Sequence, residues 1–402
     1  MNILLHRIHS SFKQSKEVKE FNDNFINDIA DLLIKDDIYI SESADIDDMD
    51  LIFVESGGSE EVFLKISDKI KSPFILLSSG KNNSLPACME IKSFASNQKK
   101  EGIIVTGEQN EIIEAIKHFS RVYKAKQEIS GSRLGVIGKP SDWLIYSKVD
   151  YAEVEKKFSI SLIDIPMDEF KAEIDKKTYG HVRHLSELQA KWKKKEVLEG
   201  ALHIYGALKR LITRYQLDGL TVRCFDLLST YKNTACLALA LLNEEGYTAT
   251  CEGDVPSMLT MFFLNKLHED SSFQANPSTI HFDNRNVLFA HCTVPFDMVE
   301  NYTLDTHFES GLGIGIKGEL SLGQCTIYKL GADLKEYVAI DGTIKSNENF
   351  KEYCRTQVMI ELPPRSIMEF MSTNVGNHMI ISYAKEANTF MALMDLYNVD
   401  DK

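Results

Sequence analysis

Four short apolar runs in the first third of the chain constrain its fold more than any other feature. NILLHRI (2–8), DLIFVES (50–56), PFILLSS (73–79) and EGIIVTG (101–107) are separated by charged, amphipathic segments of helical length. Such β-α-β-α spacing predicts a parallel sheet covered by helices. The second run ends in Ser56-Gly57-Gly58 and the third in Ser78-Ser79-Gly80. Ligands of parallel sheets approach the carboxyl ends of the strands, so these loops face a possible site. Taken singly, each Gly or Ser is also an ordinary turn residue.

A second series repeats the pattern. RLGVIG (133–138), SISLIDIP (159–166), GLTVRCFD (219–226) and YTATCE (247–252) read as strands. Residues 186–215, NTACLALALLNEEG (233–246) and VPSMLTMFFLNKL (255–267) have apolar residues at helical spacing. Beyond about residue 278 the character changes. STIHFD, NVLFAHCT, GIGIKGEL, CTIYKL, EYVAIDGTI and NHMIISY are β-like runs broken by Gly, Asp and Asn, before a last helix in AKEANTFMALMDLYN. The expected fold is α/β. Two Rossmann-like or flavodoxin-like parallel-sheet domains (1–130 and 131–278) precede a β-rich C-terminal domain (279–402). At 402 residues the chain is long enough for each to have its own core.

Composition excludes some functions. A net charge of −14 opposes a polyanionic partner such as nucleic acid. Lys193-Lys194-Lys195, inside ELQAKWKKKEVLEG, reads as a solvated helix face. No apolar run approaches a membrane span or a signal peptide. Seven scattered cysteines with no CxxC pair are expected to be reduced, which fits a cytoplasmic protein without structural zinc. Gly313 to Gly318 matches GxGxxG, but a dinucleotide loop must open a helix. Here more strand follows, so the stretch reads as a glycine-rich strand.

The chemistry-bearing residues cluster late. Glu252 ends a buried strand, where side chains face the ligand crevice, and a buried glutamate is costly unless paired or metal-bound. Asp254 precedes Val255-Pro256 and is a natural helix cap, with catalysis as its second reading. His291 ends the NVLFAHCT strand. His307 and Glu309 share a face if DTHFESG is extended. His378 follows Asn374 and Asn377 and directly precedes a strand. One such histidine is usually a core residue, but three with several carboxylates fit a divalent cation.

CEGDVPSMLTMFFL, FQAN, HCTVP and NHMI together resemble the L-fucose isomerase / L-arabinose isomerase superfamily, in particular its shorter fucose isomerase-like members. The resemblance runs from about Arg133 to the C-terminus. It implies a divalent metal, typically Mn2+, held by Glu, Asp and His, and an aldose–ketose isomerisation through an ene-diol. On this sequence the metal positions are Glu252, Asn276 and His378, and Asn374 matches a substrate-contacting asparagine. The catalytic candidates are Glu252, Asp254 and His291. Asn276 stands where the family has an aspartate, and an amide cannot accept the proton. Asp254, Asp283, Glu309 and His291 are candidates for the missing acid/base. Trp143 is a candidate to stack on a sugar, and Arg223, His307 and Glu309 to contact its hydroxyls. The resemblance also implies a homo-oligomer, trimer or hexamer, with a small-molecule sugar as substrate. Two alternatives stay open: a non-catalytic sugar-binding or regulatory homologue, and another ene-diol enzyme such as an epimerase or lyase.

Overall fold

Runs rich in Ile, Leu, Val and Phe, with no alternation, suit strands covered on both faces. In the computed structural model, which describes residues 1–11, 14–43, 48–383 and 387–401, all four early runs become strands, the second and third of them buried on both faces. They are β1 (Asn2–Ile8), β3 (Met49–Val54), β4 (Phe74–Ser78) and β5 (Gly102–Val105). A three-residue β2 (Tyr39–Ser41), too short to stand out in the sequence, adds an edge. The sheet is parallel in the order β2-β1-β3-β4-β5, a doubly wound arrangement. Phe63 and Ile91 pack from helices onto Ile52, Val54, Phe74 and Leu76.

A second parallel sheet holds β6 (Arg133–Ile137), β7 (Ser161–Ile165), β8 (Gly219–Val222) and β9 (Thr248–Cys251) in the order β7-β6-β8-β9. Residues 186–215 form two helices, Leu185–Lys191 and Lys195–Tyr215, rather than one. Trp192 takes an extended conformation and packs against the core, so Lys193 and Lys194 lie in a break instead of on a helix face.

The C-terminal part is β-rich, as the sequence indicates, and closes on itself. Strands β10 (Phe273–His281), β11 (Asn286–His291), β14 (Gly323–Leu330), β15 (Glu336–Asn347), β16 (Thr356–Glu361) and β17 (Met379–Ser382) pair antiparallel around a ring, β14-β17-β10-β11-β16-β15-β14. Closure removes the exposed edges that an open sheet would carry. A separate hairpin joins β12 (Val299–Asp305) to β13 (Gly315–Leu320), and β18 (Asp400–Asp401) runs parallel to β15. Gly315–Gly318 of the GxGxxG stretch thus lie in β13, after a bend at Gly313, with Ile314 and Ile316 fully buried.

The described residues group into two compact units, Met1–Lys124 and Ala125–Lys402. Within the second unit the parallel sheet and the barrel share one apolar core, from Ile137 through Phe273 and Phe289 to Ile381. Gln274 at the start of β10 accepts a hydrogen bond from the Cys251 backbone N–H at 2.8 Å, tying the barrel to the end of β9. That junction positions the site.

Candidate metal centre

Strand β9 ends where the chain must turn sharply into the helix Val255–His268. Glu252 takes a left-handed conformation (φ 65°), and Gly253 follows at φ 71°. A Cβ on Gly253 would lie 2.3 Å from the Lys139 carbonyl oxygen, so only glycine fits. Asp254 is the helix N-cap, accepting from the Ser257 N–H at 2.9 Å, with Pro256 in the first turn. A non-glycine residue held at positive φ costs energy that the surrounding structure must supply, and such residues cluster at functional sites.

The turn points Glu252 at two histidines from the barrel. His291 is the last residue of β11, and His378 immediately precedes β17. Glu252 Oε1 lies 3.5 Å from His378 Nε2 and 4.0 Å from His291 Nε2. One ligand atom from each of the three residues falls within 4.8 Å of the others, and all three are buried. Metal bonds near 2.1 Å put neighbouring ligand atoms roughly 3 to 4 Å apart. Among the described residues, the buried Nε2 of His378 has no hydrogen-bond partner; 3.5 Å to Glu252 is an attraction of charge, not a good hydrogen bond. An orphaned imidazole nitrogen facing a carboxylate and a second imidazole fits a divalent metal. Among metals, the two imidazoles suit Fe, Ni, Cu or Zn, while the carboxylate also admits a harder ion such as Mn.

Each of these three side chains is held from behind, as metal ligands usually are. His378 Nδ1 bonds Asp254 Oδ2 at 2.8 Å, His291 Nδ1 pairs with Thr293 Oγ1 at 2.9 Å, and Trp143 Nε1 donates to Glu252 Oε2 at 2.6 Å. Behind Asp254 lies Lys329 of β14, with no exposed surface, 3.2 Å from both carboxylate oxygens and 2.6 Å from Ser257 Oγ. Burial works against ionisation of Asp254, but Lys329 and His378 outweigh it and hold its pKa well below the usual range. Burial likewise opposes the Glu252 charge, yet His378, His291 and Trp143 bring its pKa to about 2. Burial disfavours a proton on His378, but Asp254 and Glu252 raise its pKa to about 9. Burial and then the neighbouring His378 lower His291 to about 3, so it is a neutral imidazole.

The structure therefore brings Glu252, Asp254, His291 and His378 together. Asp254 is occupied as cap and as partner of His378 and Lys329, and His291 sits among the possible ligands. The remaining sequence candidates surround them differently. His307 and Glu309 lie in a tight turn, not an extended strand: Gly311 N–H donates to the His307 carbonyl at 2.9 Å. His307 Nδ1 pairs with Ser310 Oγ, and its ring stands edge-on to Phe225. Burial and the Glu252 charge raise the pKa of Glu309, so the two carboxyls feel each other. Arg223 is taken up by Asp142, Asp226 and the Pro140 carbonyl. Asn276 Oδ1 accepts from Asn377 Nδ2 at 3.2 Å, and Asn374 is exposed before β17. Asp283 sits in the β10–β11 turn. Asn286 beside that turn is five residue steps along β11 from His291, about 17 Å of strand, so Asp283 is not part of the cluster. Sequence reasoning overlooked Lys329, whose signal was a charged residue inside the apolar run CTIYKL.

The second unit is thus an α/β sheet joined to a closed β-barrel, with a carboxylate–imidazole centre where the two meet. No family model matches the chain. Its sequence is similar to proteins named sulfoquinovose isomerase. That of Alkalicoccus urumqiensis is 22% identical over 302 residues, covering 71% of this chain and 68% of that protein. That of Priestia aryabhattai is 21% identical over 297 residues, covering 70% and 66%. That of Clostridium sp. (strain MSTE9) is 19% identical over 222 residues, covering 50% and 47%. The chain spans about two thirds of the length of the first two. Among the described residues no helix is long and apolar enough to cross a membrane.

Proposed function

We propose that the protein is a divalent-metal-dependent aldose–ketose isomerase acting on a sugar or sugar derivative. The observation that carries this reading is the buried Glu252–His291–His378 cluster, with its orphaned Nε2 and its Asp254 support. Glu252, His291 and His378 would hold the metal, with Asn276 as a further oxygen donor. Mn2+ is the first ion to test, from the fucose/arabinose isomerase resemblance. When bound, the cation polarises two neighbouring oxygens of an open-chain sugar.

The rest of the chemistry falls to the chain. Glu252 stays ionised and is the base for the C2 proton. Glu309, a carboxyl near enough to feel the Glu252 charge, supplies the second acid/base that Asn276 cannot. Trp143 offers an exposed indole face at the same point for the sugar. The relatives' name makes a sulfo-sugar the first substrate to assay. Assembly as a homo-oligomer, a cytoplasmic location, and domain boundaries at about 130 and 278 belong to the same proposal.

Metal analysis of the purified protein should show a bound divalent ion that is lost in His378→Ala; full retention in that variant would refute the ligand set. With sugar in deuterated solvent, the wild type should wash deuterium into C2. Glu252→Gln should abolish this, and Glu309→Gln should slow it about 10²- to 10⁴-fold. The Asn276–Asn377 amide pair favours a second reading, a sugar-binding protein without turnover. Sugar binding by calorimetry with no C2 exchange would select that reading instead.

A further inference from the structure

Trp143 is about half exposed, yet its one polar atom points inward. Its indole N–H donates to Glu252 Oε2 at 2.6 Å, while the other oxygen, Oε1, is the one facing His378 and His291. The loop that carries it is fixed to the same glutamate through the backbone. The Ser141 N–H donates to the Glu252 carbonyl at 2.9 Å, and the Leu144 N–H closes a turn on the Ser141 carbonyl at 3.0 Å. Gly253 packs directly on the Lys139 carbonyl, so this loop and the Glu252 turn lie in close contact. From the outer side, Phe225 meets the indole edge-on with ring centroids 4.9 Å apart.

We infer that Trp143 is a positioning residue: it holds Glu252 Oε2 by one lone pair, which leaves Oε1 as the oxygen that faces the metal and the second lone pair of Oε2 for the C2 proton. This rests on the metal reading given above. A carboxylate with both oxygens free can swing or chelate through both. One oxygen tied to an indole N–H gives a single-oxygen ligand of fixed direction, which keeps room for the two adjacent sugar oxygens. Hydrogen bonds from such supporting groups commonly change metal affinity about 10- to 100-fold when removed.

The chain has only two tryptophans, Trp143 and Trp192, which makes the idea directly observable. In a Trp192→Phe background, Trp143 is the sole indole emitter, and Mn2+ addition should change its fluorescence in a saturable way. Calorimetric Mn2+ titration should show Trp143→Phe binding about 10- to 100-fold more weakly, because the ring remains but the donor is gone. Its melting temperature should match the wild type, since the side chain is half exposed. With metal saturating, Trp143→Phe should lower kcat with KM little changed, whereas Trp143→Ala should also raise KM. Undiminished Mn2+ affinity in Trp143→Phe, with the wild type binding normally, would overturn this role and leave the metal reading intact. Failure of the wild type to bind Mn2+, Fe2+, Co2+, Ni2+ or Zn2+ would overturn both.

Discussion

Burying the Lys329 ammonium without any solvent contact is tolerable only because Asp254 lies 3.2 Å away and Ser257 accepts a further bond. Asp254 in turn caps the helix and orients His378, so one carboxylate serves stability and site geometry together. The two roles can be separated. Asp254→Asn should destabilise the fold by about 3–5 kcal/mol, because it strands a buried charge. Adding Lys329→Met should restore much of that loss in urea denaturation, as no ammonium is left unpaired. Metal affinity should stay depressed about 10- to 100-fold in the double variant, because His378 has lost its carboxylate support. Recovery of metal affinity along with stability would show that Asp254 matters to the fold alone. At this scale the sequence was informative. Glu252 and His291 stood out as polar residues ending apolar runs and His378 as one opening such a run, and Pro256 marked the Asp254 cap. The Lys329–Asp254 and Trp143–Glu252 contacts were not legible, because no local pattern shows which side chain lies behind another.

Helix-to-helix packing in the second unit turns on Glu173, near the end of the helix Met167–Ile174. It accepts from Lys176 in its own segment and from Arg210 and Arg214 on the helix Lys195–Tyr215. Burial opposes its charge, but the three cations outweigh that and set its pKa at about 2 against an ordinary 4.5. A carboxyl depressed in the folded state contributes stability above its ordinary pKa and loses it as pH falls from about 4.5 towards 2. Glu173→Gln should therefore be less stable than the wild type at pH 7, by roughly 3 kcal/mol. In urea melts the gap should narrow steadily below pH 4.5; a constant gap would mean that packing, not charge, fixes this contact. Most elements were legible from apolar runs and caps. Some of the exceptions have a physical reason. β2 is three residues long, and β12 carries exposed polar residues on both faces of a hairpin. The break at Trp192 follows from inward packing that periodicity does not see.

Every residue of the candidate centre belongs to the unit Ala125–Lys402. A chain beginning at Gln109, the start of the helix that enters this unit, should bind a divalent metal with wild-type stoichiometry and affinity. Calorimetry would check this, and lost binding would show that the first unit is needed to form the centre. The sequence by itself determined the two parallel sheets, the β-rich end, the strand-to-helix turn at Glu252 and the kind of side chains available for chemistry. These depend on local periodicity, caps and the cost of burying charge, all readable along the chain. Tertiary structure alone decided that the β-rich end closes into a barrel, because strand pairing joins residues far apart in sequence. It also decided which groups meet. His291 and His378 reach Glu252 only when β11 and β17 end beside β9, and Lys329 finds Asp254 only when β14 packs on the helix Val255–His268. Spacing along the chain sets what a residue is able to do, and long-range packing sets what it faces.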